Sequence, residues 1–159
     1  MASIAWDEQY FYFDCTVVDP VFCQPFFGKD IWKGDSVQLA FDGGCDAFQG
    51  GYNHNDSEFG LAYTPKGPLA WRWYAPAGKM TGKTVFPLRI IREGRRTSYR
   101  AAIPWKELME NHLYPGKLFG FNFIAGNNNG YGRNYWIGLT PGIAEGKKPE
   151  LFLKFVLTE

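Results

Sequence analysis

Trp32 and Gln38 are the residues whose types and spacing best suit recognition chemistry. They fall in the run Asp30-Ile31-Trp32-Lys33-Gly34-Asp35-Ser36-Val37-Gln38-Leu39-Ala40-Phe41-Asp42. Side chains alternate across a β-strand, so Val37, Leu39 and Phe41 form a greasy face of strong β formers. Trp32, Ser36, Gln38 and Ala40 take the other face. An indole at the strand's entrance with an amide further along the same side is an apolar platform beside a hydrogen-bonding group. A pyranose ring, with an apolar C–H face and a polar rim, requires such a pair. An ordinary strand whose Trp covers a sheet edge would look the same.

Other chemistries find little support. The chain has no G-x-S-x-G elbow, no P-loop, no H-E-x-x-H and no cysteine coupled to a histidine. Glycoside hydrolysis needs two carboxylates flanking a bond. Only Asp35 and Glu58 lie on strand segments near Trp32, Asp35 belongs to the opposite face, and Glu58 alone cannot fill both roles. No catalysis is expected. Glu58 is instead grouped with the candidate ligand contacts. In the polar loop from Gly43 to Asp56, the oxygen-bearing side chains, with Asp42 and Asp46, could coordinate Ca²⁺, although the ordered EF-hand pattern is missing and a plain loop fits as well. Cys15 shares an inward face with Phe13 and Val17 and reads as a small buried hydrophobe. Three cysteines, with Cys23 and Cys45, cannot all pair.

The elements that must position these residues are short strands. The 159-residue chain suits a single domain, 1–159. Its 14 Phe, 9 Tyr and 6 Trp are punctuated by 19 Gly and 10 Pro, the composition of an all-β sandwich or barrel. Seventeen basic against 16 acidic residues give no electrostatic grip on nucleic acid or anionic membrane. No apolar run approaches the roughly 18 residues of a membrane span. Phe11 to Val18 alternates and pairs with Trp6 as a hairpin, and Glu58–Tyr63 and Leu69–Tyr74 form another around Thr64-Pro65-Lys66-Gly67-Pro68. In the second hairpin Trp71 and Trp73 share a face, with packing the simpler role and an extended aromatic platform the other. Val85–Ile91, Thr97–Ile103, Leu118–Ile124, Asn134–Leu139 and Leu151–Leu157 complete the strands, and Pro104–Met109 supplies one short helical turn.

Several runs resemble family 9 carbohydrate-binding modules: Ile4 to Asp14 containing Trp6-Asp7-Glu8-Gln9-Tyr10, Val18-Asp19-Pro20-Val21, and Trp32-Lys33-Gly34-Asp35-Ser36-Val37-Gln38-Leu39. Tyr99 to Trp105, Gly120-Phe121-Asn122 and the segment from Arg133 through Trp136 to Gly142 continue in order, so the resemblance spans nearly the whole chain. It implies an antiparallel β-sandwich (jelly-roll or immunoglobulin-like) that binds without catalysis. It also implies structural calcium and attachment to a larger secreted glycoside hydrolase, hence an extracellular address. In such modules two Trp rings clamp a sugar, typically at the end of a glucan or xylan chain. Carried over, Trp32 matches the first clamp Trp, and Gln38 stands where a hydrogen-bonding carboxylate is found. Trp136 is the available substitute for a second Trp that would fall near Gly138. Asn122, Asn128 and Arg133 would meet hydroxyls. The strand arginine that contacts sugar in the family falls at Gly60. Relatives begin with an extra strand, and its absence would leave an edge open to self-association.

Two alternatives belong to other classes. A haem-binding sandwich needs an axial pair, for which Met80 with His54 or His112 is the only supply. A structural or adhesion domain would dock protein through its aromatic face.

Overall fold

In a computed structural model describing residues 1–47, 50–109 and 113–158, the alternating segments fold as eleven strands in two antiparallel sheets. In chain order they are β1 (Ala2–Trp6), β2 (Tyr10–Val18), β3 (Ser36–Asp42), β4 (Asp56–Thr64), β5 (Gly67–Tyr74), β6 (Gly82–Thr84), β7 (Leu88–Glu93), β8 (Arg96–Pro104), β9 (Leu118–Asn128), β10 (Arg133–Gly138) and β11 (Leu153–Val156). One sheet has the order β1-β2-β8-β7. The other runs β10-β9-β3-β4-β5-β6, and β11 pairs with the first part of β9.

Period-2 alternation explains the sandwich. Phe11, Phe13 and Cys15 of β2 face Val37, Leu39 and Phe41 of β3, with Phe59, Leu61, Phe119 and Phe121 beside them, all buried. Phe11 is the hub: its ring meets Phe41, Trp105, Phe119 and Phe121 at centroid distances of 5.0, 5.6, 6.2 and 5.2 Å. Arg72 of β5 is buried on this side too, ion-paired to Glu107 and stacked 4.9 Å from the Phe59 centroid. The three cysteines are free.

Helical structure departs from expectation in two places. The turn after β8 is a 3₁₀ turn, Trp105–Glu107, and two more occur, Gly28–Lys33 and Pro149–Leu151. Trp32 therefore stands on a 3₁₀ turn rather than at a strand entrance, and β3 starts four residues later. Gly34 and Asp35 stay out of the ladder because their amides donate to the Ile31 and Cys23 carbonyls, and their carbonyls accept from the Ser36 hydroxyl and the Gln24 side chain.

Burial of carboxylates sets a pH dependence. Asp56 is fully buried opposite Asp42, one of its oxygens has no partner, and burial raises its pKa to about 7. Burial likewise raises Asp35 to about 6. Both groups titrate near 4 when unfolded, so the folded chain takes up protons first as pH falls, and stability grows. The melting temperature is expected to rise by a few degrees between pH 8 and pH 5, with a smaller rise in Asp56→Asn. A melting temperature that falls steadily over that window would contradict the assignment.

Candidate functional site

The outer face of the larger sheet carries a cleft of about 560 Å³, lined by the 3₁₀ turn (Lys29, Asp30, Trp32, Lys33), Gln38 of β3, Glu58 of β4, Trp73 of β5, Arg133 of β10 and the segment Ile143, Ala144, Gly146 and Lys147. Register explains the floor. Gln38 lies opposite Gly60, and Ala40 opposite Glu58, so the amide and the carboxylate are diagonal neighbours across β3 and β4.

The turn bearing Trp32 is held from several sides. Gln24 donates from Nε2 to the carbonyls of Ile31 and Asp35, both at 2.9 Å, and its side chain fills the space where a Cβ on residue 34 would stand. Asp35 accepts from the amides of Cys23 and Asn128, the latter at 2.9 Å, tying the turn to β9. Asn128 donates to the Lys33 carbonyl at 2.8 Å. Trp73 donates from its indole nitrogen to the Lys29 carbonyl at 2.8 Å. The result is a rigid perch for an indole that is still 38% exposed.

Electrostatics in the cleft is arranged as two internal pairs and a remainder. Lys147 reaches from the far wall to Glu58, 2.6 Å from each carboxylate oxygen, while Glu58 itself is 2% exposed. Lys33 pairs with Asp30 at 2.9 Å. The Arg133 guanidinium lies 5.1 Å from the Trp32 ring centroid, a cation–π distance, and partial burial lowers its pKa from the usual value.

Of the expected contacts, the structure brings Trp32, Gln38, Glu58 and Arg133 together. Asn122 is elsewhere in function: fully buried, it donates to the carbonyls of Thr140 and Pro141 at 2.9 and 3.0 Å and accepts from Thr140 N–H. Its amide fastens the chain after β10 and does not line the cleft. Asn128 spends its oxygen on the amides of Gly130 and Gly132, so it too positions the cleft rather than lining it. Trp136 packs half-buried against the cluster of Ala40, Ile124, Ile143 and Phe152 and does not line the cleft. Residue 138 cannot carry a clamp ring either, because a Cβ there would lie 2.6 Å from Ile124.

The second indole of the cleft is Trp73. A Cβ on residue 60 would lie 2.2 Å from the Trp73 ring and 2.9 Å from Ile31, so glycine lets the ring lie against β4. A side chain at position 60 and the Trp73 ring would compete for the same space. Gly60→Arg is expected to evict Trp73, costing about 1–3 kcal/mol in stability. Urea unfolding and the Trp emission spectrum would check it, and an unchanged midpoint and spectrum would refute the coupling.

Asp42 and Asp46, the carboxylates proposed for calcium, close the loop with hydrogen bonds. Asp42 accepts from the amides of Asp46 and Ala47, and Asp46 accepts from the Asn53 and Asn55 side chains. Among the described residues, no group of three or more His, Cys, Asp or Glu is arranged to hold a metal ion. In this structure these hydrogen bonds close the loop, beside the unpartnered Asp56 oxygen. His54 and Met80 are exposed on separate loops, and His112 lies outside the described residues.

Solved structures share the architecture. The chain matches a carbohydrate-binding module of family 9 from Caldicellulosiruptor kristjanssonii in complex with glucose. The TM-score is 0.76 at 18% identity, over 96% of this chain and 73% of that one. The cellotriose complex of a family 9 module from the same organism gives a TM-score of 0.77 at 18% identity, over 98% and 72%. No curated protein sequence matches. Residues 1–141 match the model of the carbohydrate family 9 binding domain-like family, and the chain thus belongs to this family of non-catalytic carbohydrate-binding domains.

Proposed function

We propose that the cleft binds a sugar unit of a glucan or xylan chain, with Trp32 and Trp73 offering apolar faces and Gln38, Glu58, Lys147 and Arg133 meeting the hydroxyls. One observation carries this reading: an exposed indole, Trp32, and a half-buried one, Trp73, flank a buried carboxylate and amide in one cleft. Each stack adds about 1 kcal/mol beyond area burial. After ordering costs, affinities of roughly micromolar to millimolar are expected. In this reading the module is part of a larger extracellular protein acting on plant-type polysaccharide and holds that protein on its substrate.

Calorimetric titration with cello- and xylo-oligosaccharides, with glucose and xylose alongside, tests the proposal. Saturable heats with oligosaccharides are expected, and comparable monosaccharide affinity would support end recognition. Flat titrations with every sugar would overturn it and leave protein docking through the aromatic cleft as the reading to pursue.

A further inference from the structure

The cleft's charges do not cancel. Its two carboxylates are each committed to a lysine, Glu58 to Lys147 and Asp30 to Lys33. Arg133 and Lys29 also line it, and among the described residues neither is in ion-pair contact with a carboxylate. Glu145 on the neighbouring segment is exposed and accepts from the Gly142 amide at 3.3 Å; with Glu58 it acts on Arg133 through space, without ion-pair contact. Arg133 is the sharper case. It is half-buried, its aliphatic stem lies across Gly126 with Cδ 3.2 Å from where a Cβ would stand, and its guanidinium is fixed over Trp32. A guanidinium carries five N–H donors. Among the described residues, none of them is engaged in a hydrogen bond. A partly desolvated cation with idle donors, aimed into a ligand cleft, is held ready for an anion.

We infer that the cleft prefers a saccharide bearing an anionic group, most naturally a uronate carboxylate, which Arg133 receives through paired N–H···O contacts while Lys29 faces it from the turn. This rests on the saccharide reading above and narrows its ligand class. A planar guanidinium matches a carboxylate in two parallel hydrogen bonds, and such charge-assisted contacts are about twice as strong as neutral ones. The Trp32 ring serves both partners, steadying the arginine by cation–π attraction and offering apolar surface to the sugar ring.

The test compares glucose, glucuronate, galacturonate and glucose 6-phosphate by calorimetry on the intact protein at one fixed ionic strength. At least one uronate is expected to bind about tenfold more tightly than glucose, the ratio that one added charge-assisted pair sustains. An equal gain with glucose 6-phosphate would assign the preference to anions in general, and a gain with uronates alone to the planar carboxylate. In Arg133→Gln the ratio of uronate to glucose affinity is expected to collapse toward one. Glucose binding as tightly as every acidic sugar would overturn the inference and leave the saccharide reading standing. So would a ratio that survives Arg133→Gln. Silence from all four, together with silent oligosaccharides, would overturn both.

Discussion

Trp32→Ala is expected to weaken saccharide binding at least about thirtyfold, a loss of about 2 kcal/mol or more, as for a central aromatic anchor in an interface. The indole is exposed on a turn that Gln24, Asp35, Asn128 and Trp73 fix independently of its own side chain. Its removal therefore takes away the apolar platform, frees the Arg133 guanidinium, and leaves the perch intact. The melting temperature should move by only a few degrees, since a 38% exposed ring contributes modestly to the core. Trp136→Ala is the informative contrast. Its ring packs against the Ala40 cluster and does not line the cleft, so affinity should change less than about threefold while stability falls. Calorimetry and thermal melts on both variants decide the matter: equal affinity losses would restore Trp136 as a clamp, and an unchanged Trp32→Ala would remove the platform from the site.

The largest stability effect is expected at Phe11→Ala, about 3–5 kcal/mol, because the ring touches four other aromatics where the two sheets meet. In a domain of this size that corresponds to roughly 6–20 °C in melting temperature. Differential scanning calorimetry reads it directly. A drop of under 2 °C would mean that the facing phenylalanines close over the gap, and that the core is less tightly specified than the ring geometry indicates.

The residues that reveal themselves in sequence are those whose roles follow from alternation. Val37, Leu39 and Phe41 against Gln38 and Ala40 come straight from the pleat, and so do Phe119, Phe121 and Phe123. Asn122 and Asn128 also follow the outward register, yet a polar residue facing outward is satisfied equally by a ligand or by a returning loop. Nothing local distinguishes the two. Trp73 reads as packing because it shares a strand face with Trp71, and aromatic residues on a strand face serve packing more often than recognition. Its signal was Gly60, an otherwise weak strand residue, which marks close approach of a ring across the sheet. Lys147 stands in a Gly- and Lys-rich stretch with no periodicity, and its partner Glu58 is 89 positions away, a pairing that no local pattern encodes.

That separation has a consequence for how the chain reaches its working state. Trp32, Gln38 and Glu58 come from the first half, Arg133 and Lys147 from the last part, and the sheet is joined by β3 pairing directly with β9. Such high contact order implies folding in milliseconds to seconds, with loop closure paid before the reward. A nascent or truncated chain ending before β10 can build hairpins but has no cleft. Ligand capture during refolding should lag behind the burial of tryptophan, so an immobilised glycan would retain only molecules that have finished folding.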